Sequence, residues 1–227
     1  MSRVVVVTGT DTGVGKTVVT AALAAAYLGE GRSVCVVKPT QTGVRPDEPG
    51  DLEVVRRLAG PVTTVEPVRL PDPLAPDLAA RVAGVTLPGL QDQARVVEEA
   101  AAGHDVVLVE GAGGVTVRIG EGWSLLELAR ALGSALPVGV VVVARAGLGT
   151  LNHTLLTVQA LRAAGLTVSG LVIGAWPEEA GLTERLNEEE LPRLTGVPLL
   201  GVVPAGVPSL APEEFRAQAR GWFSALP

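Results

Sequence analysis

A glycine-rich segment near the start of the chain carries residue types that are suited to phosphate chemistry. The segment Gly9-Thr10-Asp11-Thr12-Gly13-Val14-Gly15-Lys16-Thr17 follows an apolar run at residues 4–7. Glycines let successive backbone N–H groups point at a phosphate, the following helix adds its positive end, and the lysine and threonine reach the outer phosphates and Mg²⁺. The usual spacing has glycine where this chain has Thr10, so the motif is an enlarged variant that begins at Gly9. It predicts a nucleoside triphosphate site.

Two more polar segments follow apolar runs. Lys38-Pro39-Thr40-Gln41-Thr42-Gly43 comes after residues 34–37, and Glu110-Gly111-Ala112-Gly113-Gly114 comes after residues 106–109. The chain has only two lysines, Lys16 and Lys38, and both stand where a compact point charge would serve phosphoryl transfer. The alternative for Lys38 is an ordinary solvated lysine at the start of a loop.

Oxygen-bearing side chains in and near these segments are candidate ligands of Mg²⁺. They are Thr17, Asp51 and Glu110. Mg²⁺ prefers octahedral oxygen coordination and usually keeps waters and phosphate oxygens, so few protein ligands are needed. Asp51 opens a predicted helix after a Pro-Gly turn, and an acid there serves equally well as a helix cap. Both interpretations of Asp51 stay open at the level of sequence.

The segment Gly147-Leu148-Gly149-Thr150-Leu151-Asn152-His153-Thr154 begins a predicted helix just after the apolar run at residues 138–143. With Gly149 or Thr150 near the N-cap, the free N–H groups of the first turn form an anion site that could hold a carboxylate. An ordinary capped helix is the alternative interpretation.

The elements that position these segments are short β-branched runs alternating with helical patterns. Strands are predicted at residues 4–7, 34–37, 106–109, 138–143, 168–173 and 199–203, and helices at 17–28, 51–59, 76–82, 125–132, 151–164, 182–194 and 212–223. Continuous apolar strands indicate a sheet that is covered on both faces. We therefore expect one α/β domain over residues 1–227, with a doubly wound, mostly parallel sheet of the P-loop NTPase type and its ligands at the carboxyl ends of the strands.

The composition excludes several classes of protein. The 227 residues are 47% hydrophobic and 19% charged, with a net charge of -6 and a pI near 5.0. A nucleic-acid surface would normally show a basic face, which this chain lacks. No apolar run approaches the roughly 18 to 20 residues that span a bilayer. We expect a cytoplasmic protein that binds neither nucleic acid nor membrane.

Taken together, the glycine-rich loop, Lys38-Pro39 with Thr42-Gly43, Glu110-Gly111-Ala112-Gly113-Gly114 and the segment at residues 148–153 resemble dethiobiotin synthetase, over most of the chain and in the same order. The resemblance implies a homodimeric ligase with shared active sites. It would convert 7,8-diaminopelargonate, CO₂ or bicarbonate, and ATP with Mg²⁺ into dethiobiotin, ADP and phosphate. A carbamate forms on one amine, the γ-phosphoryl group activates it, and the second amine closes the ureido ring.

The resemblance also assigns roles to residues. It implies catalytic roles for Lys16, Lys38 and Thr12, and it puts the substrate near Thr12, Lys38, Thr42, Glu110 and Gly111. Residues Gly149, Thr150, Leu151 and Asn152 would receive the distant substrate carboxylate from the partner subunit, and residues 71–76 resemble the loop that lines the substrate chain. The nucleotide phosphates would contact Asp11, Gly13, Val14, Gly15, Lys16, Thr17 and Val18, and its base would contact Gly174, Ala175, Trp176, Pro204, Ala205 and Gly206.

The sequence departs from the family pattern at several of these positions. Family members often carry Asn after the fifth strand to read the adenine edge, whereas this chain has Gly174-Ala175-Trp176, and no acid closely follows residues 203–206 to hold the ribose. Gly13 stands where some members have Glu. ATP is the expected co-substrate, with other nucleoside triphosphates as alternatives.

Two rival functions share the predicted fold. A dimeric partitioning-type ATPase switch has a similar loop, but it carries a lysine where this chain has Asp11 and commonly adds basic or amphipathic segments. The other rival is a P-loop ligase that activates a different carbamate or carboxylate.

Overall fold

The chain alternates strands and helices along residues 2–227, which are the residues that the computed structural model describes. The strands are β1 (Arg3–Gly9), β2 (Val34–Val37), β3 (Gln41–Thr42), β4 (Thr63–Val65), β5 (Arg69–Leu70), β6 (Val106–Gly114), β7 (Arg118–Gly120), β8 (Trp123–Ser124), β9 (Val138–Ala144), β10 (Val168–Trp176) and β11 (Leu199–Pro204). The helices are α1 (Lys16–Gly29), α2 (Asp51–Ala59), α3 (Pro76–Ala83), α4 (Leu90–Gly103), α5 (Leu125–Gly133), α6 (Thr150–Ala163), α7 (Leu182–Thr195) and α8 (Pro212–Ala219).

Seven of the strands form one parallel sheet in the order β11-β10-β9-β1-β6-β2-β4. Helices α1, α2 and α8 contact one another on one side of it, while α4 contacts α5 and α6 contacts α7 on the other. Each face of the sheet has its own apolar core, and the residues of β1 from Val4 to Val7 are at most 1% exposed. The predicted doubly wound α/β fold is therefore confirmed.

From β1 the chain first crosses to β2 and β4 on one side, then returns through β6, which lies between β1 and β2, and continues with β9, β10 and β11 on the other side. Strand β1 and its neighbours β6 and β9 therefore lie where the winding reverses. Ligands of such sheets bind beyond the carboxyl ends of the strands at this point. The glycine-rich loop follows β1, Lys38 follows β2 and Glu110 lies within β6, so the fold brings all three predicted segments to one edge.

The predicted elements agree with the structure in position, with differences at their ends. Helix α2 has the predicted bounds, whereas the predicted helix at 212–223 ends as an α-helix at Ala219 and continues as a 3-10 turn, Arg220–Trp222. The prediction missed α4 and the short strands β3, β4, β5, β7 and β8. Among residues 2–227, no helix combines the length and apolar character that a membrane crossing requires.

Candidate active site

The glycine-rich loop packs backbone to backbone against the end of β10. Gly15, the N-cap of α1, has a φ of 97°, which an L side chain rarely adopts. A Cβ on Gly15 would lie 2.6 Å from the carbonyl oxygen of Gly174, and a Cβ on Gly174 would lie 2.1 Å from the carbonyl oxygen of Val14. Neither position has room for a side chain, so the loop that would hold phosphates is seated directly on the strand that would border the base.

Lys16 is a buried cation with no carboxylate partner in the described part of the chain. It is 8% exposed, and its Nζ donates to the carbonyl oxygen of Asp11 at 2.9 Å. Burial, and after it the charge of Lys38, lowers the pKa of Lys16 below its ordinary 10.5. An anion placed beside this ammonium would supply the missing counter-charge.

Lys38 lies between two carboxylates at the floor of the same site. Its Nζ is 2.8 Å from Glu110 Oε1 and 2.5 Å from Asp51 Oδ2, and it donates to the carbonyl oxygen of Gly111 at 3.2 Å. Burial alone would lower the pKa of Lys38, but the charges of Glu110 and Asp51 outweigh it and raise the pKa above 10.5. Lys38 is 4% exposed, so the solvated-lysine alternative is wrong.

Asp51 does not cap its helix with its side chain. It is the first residue of α2, the N-cap is Gly50, and the carboxylate pairs with Lys38. Burial opposes ionisation of Asp51, but the charge of Lys38 prevails and lowers its pKa below the ordinary 3.8. The cap interpretation is therefore wrong, and the side chain points into the site.

The oxygen donors proposed for Mg²⁺ lie together. Thr17 Oγ1 donates to Glu110 Oε1 at 3.0 Å, and Glu110 is fully buried, with an Oε2 that has no hydrogen-bond partner among residues 2–227. A buried, unpaired carboxylate oxygen is costly unless a cation or donor reaches it. In the described chain no three His, Cys, Asp or Glu side chains form a metal cluster by themselves. These residues suit a cation that completes its coordination with phosphate oxygens and water.

A cavity of about 600 Å³ joins these groups. Its lining combines the polar groups described above with apolar residues of the segment that leads into α3 and with Val117. The predicted site residues that line it are Thr12, Gly13, Gly15, Lys16, Thr17, Val18, Lys38, Thr42, Asp51 and Glu110. Of the loop at residues 71–76, Pro73, Leu74, Ala75 and Pro76 line the cavity as well.

The other predicted site residues do not line this cavity. The start of α6 lies elsewhere at the same edge of the sheet: Gly149 is its N-cap, as predicted, and the N–H of Thr150 already donates to Gly147 O at 3.3 Å. Gly174 touches the loop from outside, and Ala205 N donates to Trp176 O at 2.6 Å, so the two base-side segments adjoin each other. The remaining residues outside the cavity are Asp11, Val14, Gly111, Leu151, Asn152, Ala175, Pro204 and Gly206.

Two polar contacts at this edge were not predicted from the sequence. Gln41, 4% exposed, lines the cavity and bonds the start of α2. Arg145, just after β9, forms an ion pair with Asp11 at 2.7 Å. The position of Arg145 at a strand end was the available signal, whereas nothing near Gln41 in sequence points to α2.

Comparison with known proteins gives consistent matches over nearly the whole chain. A family model described as an AAA domain matches residues 3–213. The chain is 57% identical to an ATP-dependent dethiobiotin synthetase BioD of Rhodococcus jostii, covering 97% of this chain and 94% of that protein. It is 52% identical to the protein of the same name in Streptomyces coelicolor (97% and 92% covered) and 49% identical to that of Mycobacterium avium (97% and 95%).

Solved structures share the fold at low identity. The septum site-determining protein MinD of Pyrococcus horikoshii, complexed with Mg-ADP, superposes with a TM-score of 0.58 at 21% identity, covering 96% of this chain and 86% of that one. The cell division protein FtsY of Thermotoga maritima gives a TM-score of 0.61 at 18% identity, covering 97% and 69%. These likenesses concern the fold alone.

Proposed function

The chain belongs to the family of ATP-dependent dethiobiotin synthetases, and from that premise we propose that it joins CO₂ to 7,8-diaminopelargonate with ATP to give dethiobiotin, ADP and phosphate. The observation that carries the proposal is the convergence of Lys16, Lys38, Thr17 and Glu110 on one cavity that also has an apolar wall. Phosphate-binding groups and apolar surface in one cavity suit a nucleotide and an aliphatic diamine.

The reaction proceeds through three steps that need positioning and charge more than a protein nucleophile. One substrate amine adds to CO₂ and loses a proton to form a carbamate. A carbamate oxygen takes the γ-phosphoryl group and ADP leaves. The second amine then attacks the carbamoyl carbon, and phosphate departs as the ring closes. Because both reacting groups belong to one bound molecule, proximity supplies much of the rate.

The cations of the cavity suit the second step. Negative charge spreads over the transferring phosphoryl oxygens, and fixed positive groups stabilise it. Among residues 2–227 Lys16 has no carboxylate partner, whereas Lys38 is oriented by Glu110 and Asp51. We assign both lysines to the phosphoryl group and carbamate, with Thr12 and Thr42 beside the substrate. Thr17, Asp51 and Glu110 would hold Mg²⁺, which neutralises phosphate charge when it is bound.

The fate of the carbamate oxygens gives a direct test. With C¹⁸O₂, diaminopelargonate and ATP, ring closure breaks the bond between the carbamoyl carbon and the bridging oxygen. Mass spectrometry should therefore find label both in the ureido carbonyl of dethiobiotin and in the released phosphate. Lys16→Ala is the control. Nucleotide hydrolysis without diamine, and without label in phosphate, would favour the ATPase switch, while turnover of another acid would favour the rival ligase.

We further propose a homodimer in which the α6 start of one subunit completes the cavity of its partner. Leu148, two residues before the first residue of α6, is 88% exposed, and Leu182, the first residue of α7, is 67% exposed. Asn187 of α7 donates to the carbonyl oxygen of Ala146 at 2.8 Å, which holds α7 beside the α6 start. A cluster of exposed apolar side chains is typical of a protein interface.

The interface can be tested with matched variants. Leu148→Asp and Leu182→Asp should shift the protein to monomers in sedimentation experiments and remove activity, whereas Leu194→Asp, at the far end of α7 and 44% exposed, should do neither. A dimer that persists in both interface variants would contradict the assignment.

The shared site has a separate test in mixed dimers. Asn152→Asp places a negative charge at an exposed residue in the first turn of α6, where it should repel a substrate carboxylate. Mixing Lys16→Ala chains with Asn152→Asp chains should regenerate one intact site in each mixed dimer, hence about a quarter of wild-type activity at low diamine concentration from random assortment. If subunits exchange and no activity returns, each site is built within a single chain.

A further inference from the structure

We propose that Gln41 is a positioning residue that holds the first residue of α2, and with it the Asp51 carboxylate, in place beside Lys38 and the substrate segment at residues 40–43. The catalytic importance of this position rests on the proposed function. Its geometry is independent of the reaction and comes from the hydrogen bonds of one buried amide.

The start of α2 takes part of its cap from a distant segment. The N-cap residue is Gly50, which has no side chain to accept from the free N–H groups of the first turn. Glu53 accepts from Gly50 N at 2.7 Å, and Gln41 Oε1 accepts from Asp51 N at 3.0 Å. Gln41 and Asp51 lie ten residues apart in sequence, so the helix start is fixed by the cavity wall as well as by its own first turn.

The other half of the Gln41 amide points along the substrate segment. Nε2 donates to the carbonyl oxygen of Thr42 at 3.0 Å, and Gln41 itself pairs with Arg69 in the small β3–β5 sheet. A Cβ at residue 50 would lie 3.0 Å from Gln41 Oε1, so Gly50 leaves the space that the amide occupies. One side chain thus joins the predicted substrate contact Thr42 to the helix that carries Asp51.

The Asp51 carboxylate needs this support more than Glu110 does. Glu110 lies in the central sheet and is fully buried, whereas the Asp51 side chain is 32% exposed and lies at a helix end. Both carboxylates contact Lys38 Nζ. Without the Gln41 bond the start of α2 can shift, and Lys38 then keeps only one of its two orienting charges. Displacements of about 1 Å at reacting groups can lower rates by roughly 100-fold.

Lysine NMR provides a readout that does not depend on catalysis. With only two lysines in the chain, protein labelled with ¹³Cε-lysine should give two side-chain signals, assigned with Lys16→Ala. Gln41→Met keeps the size of the side chain and removes both hydrogen bonds. At pH 7 it should move the Lys38 signal toward its position in Asp51→Asn while leaving the Lys16 signal in place.

Kinetics complete the test. Gln41→Met should lower kcat by about 10- to 100-fold while the KM for nucleotide changes less than threefold, because the glycine-rich loop is untouched. Thr195→Val, which removes two buried hydrogen bonds at the far end of α7, controls for lost stability and should change neither signal nor kcat. A Lys38 signal that stays at the wild-type position in Gln41→Met overturns the proposal, whatever the activity, and does so without reference to the reaction.

Discussion

Lys38→Met should destabilise the fold as well as abolish turnover. In the structure Lys38 neutralises Glu110 at 2.8 Å, and the exposed fractions of the two side chains are 5% and 0%. Removing one member of a buried ion pair leaves an uncompensated charge, which costs about 3–5 kcal/mol. Asp51 adds little to this, because its side chain is 32% exposed and can turn toward water. We therefore expect the free energy of unfolding to fall by about 3–5 kcal/mol at pH 7.

Urea unfolding of three variants checks this magnitude. The double variant Lys38→Met with Glu110→Gln removes both charges, so most of the lost stability should return while activity stays absent. Lys38→Gln should also remain inactive, because the proposed role needs a charge. Arg193→Met breaks an exposed pair with Glu190 at 2.9 Å and should cost less than about 1 kcal/mol. Two results would show that Lys38 and Glu110 do not form a charged pair. The first is a loss of unfolding free energy in Lys38→Met no larger than that in Arg193→Met. The second is a double variant no more stable than Lys38→Met.

Four further outcomes follow from the site. Lys16→Ala should abolish phosphoryl transfer, and near-normal turnover would exclude the phosphate role. Its melting temperature should stay near or above that of the wild type, because a buried cation that lacks a carboxylate partner in the described chain contributes little to stability. Gly174→Asn should weaken ADP and CDP binding alike in fluorescence titrations, since its Cβ would meet Val14 O at 2.1 Å; a gain in adenine selectivity would contradict the packing. Without a side-chain amide at the base, CTP or GTP should support turnover within about 5- to 150-fold of ATP, the value of one paired hydrogen bond; steady-state rates showing more than a thousandfold ATP preference would refute this. The lowered pKa of Asp51 gives stability that is present above its ordinary 3.8 and is lost as the pH falls through the folded value, so the acid unfolding curve of Asp51→Asn should be flatter below pH 3.8.

The sequence was most informative where a local signal and a buried apolar run coincided. Strand β2 and helix α2 have the predicted bounds, since Gly50 and Gly60 flank the helix and the four strand residues are all buried. The same reasoning placed Lys16, Lys38 and Glu110 at one edge, because parallel strands end together.

Helix α4 escaped prediction because its buried face is made of alanines, Val97 and a glutamine, which give weak apolar periodicity. Strand β4 is a short edge strand rich in threonine, and its pairing with β2 depends on the finished sheet. The Lys38–Asp51 ion pair and the Gln41 bond join segments whose approach depends on the irregular chain between β2 and α2. Neither contact has a spacing rule that sequence could reveal.

The scarcity of lysine has a practical consequence for chemical labelling. Both lysines line the cavity, and the other 16 of the 18 lysine and arginine residues are arginines, which do not react with acylating reagents at neutral pH. Apart from the amino terminus, amine-directed reagents therefore find their targets only inside the cavity. Glu110 and Asp51 hold Lys38 as an ammonium, whereas the lowered pKa of Lys16 favours the free amine that acylating reagents attack. Acylation followed by peptide mass mapping is therefore a footprint of cavity occupancy: protection of the Lys16 peptide by a candidate ligand reports binding without turnover.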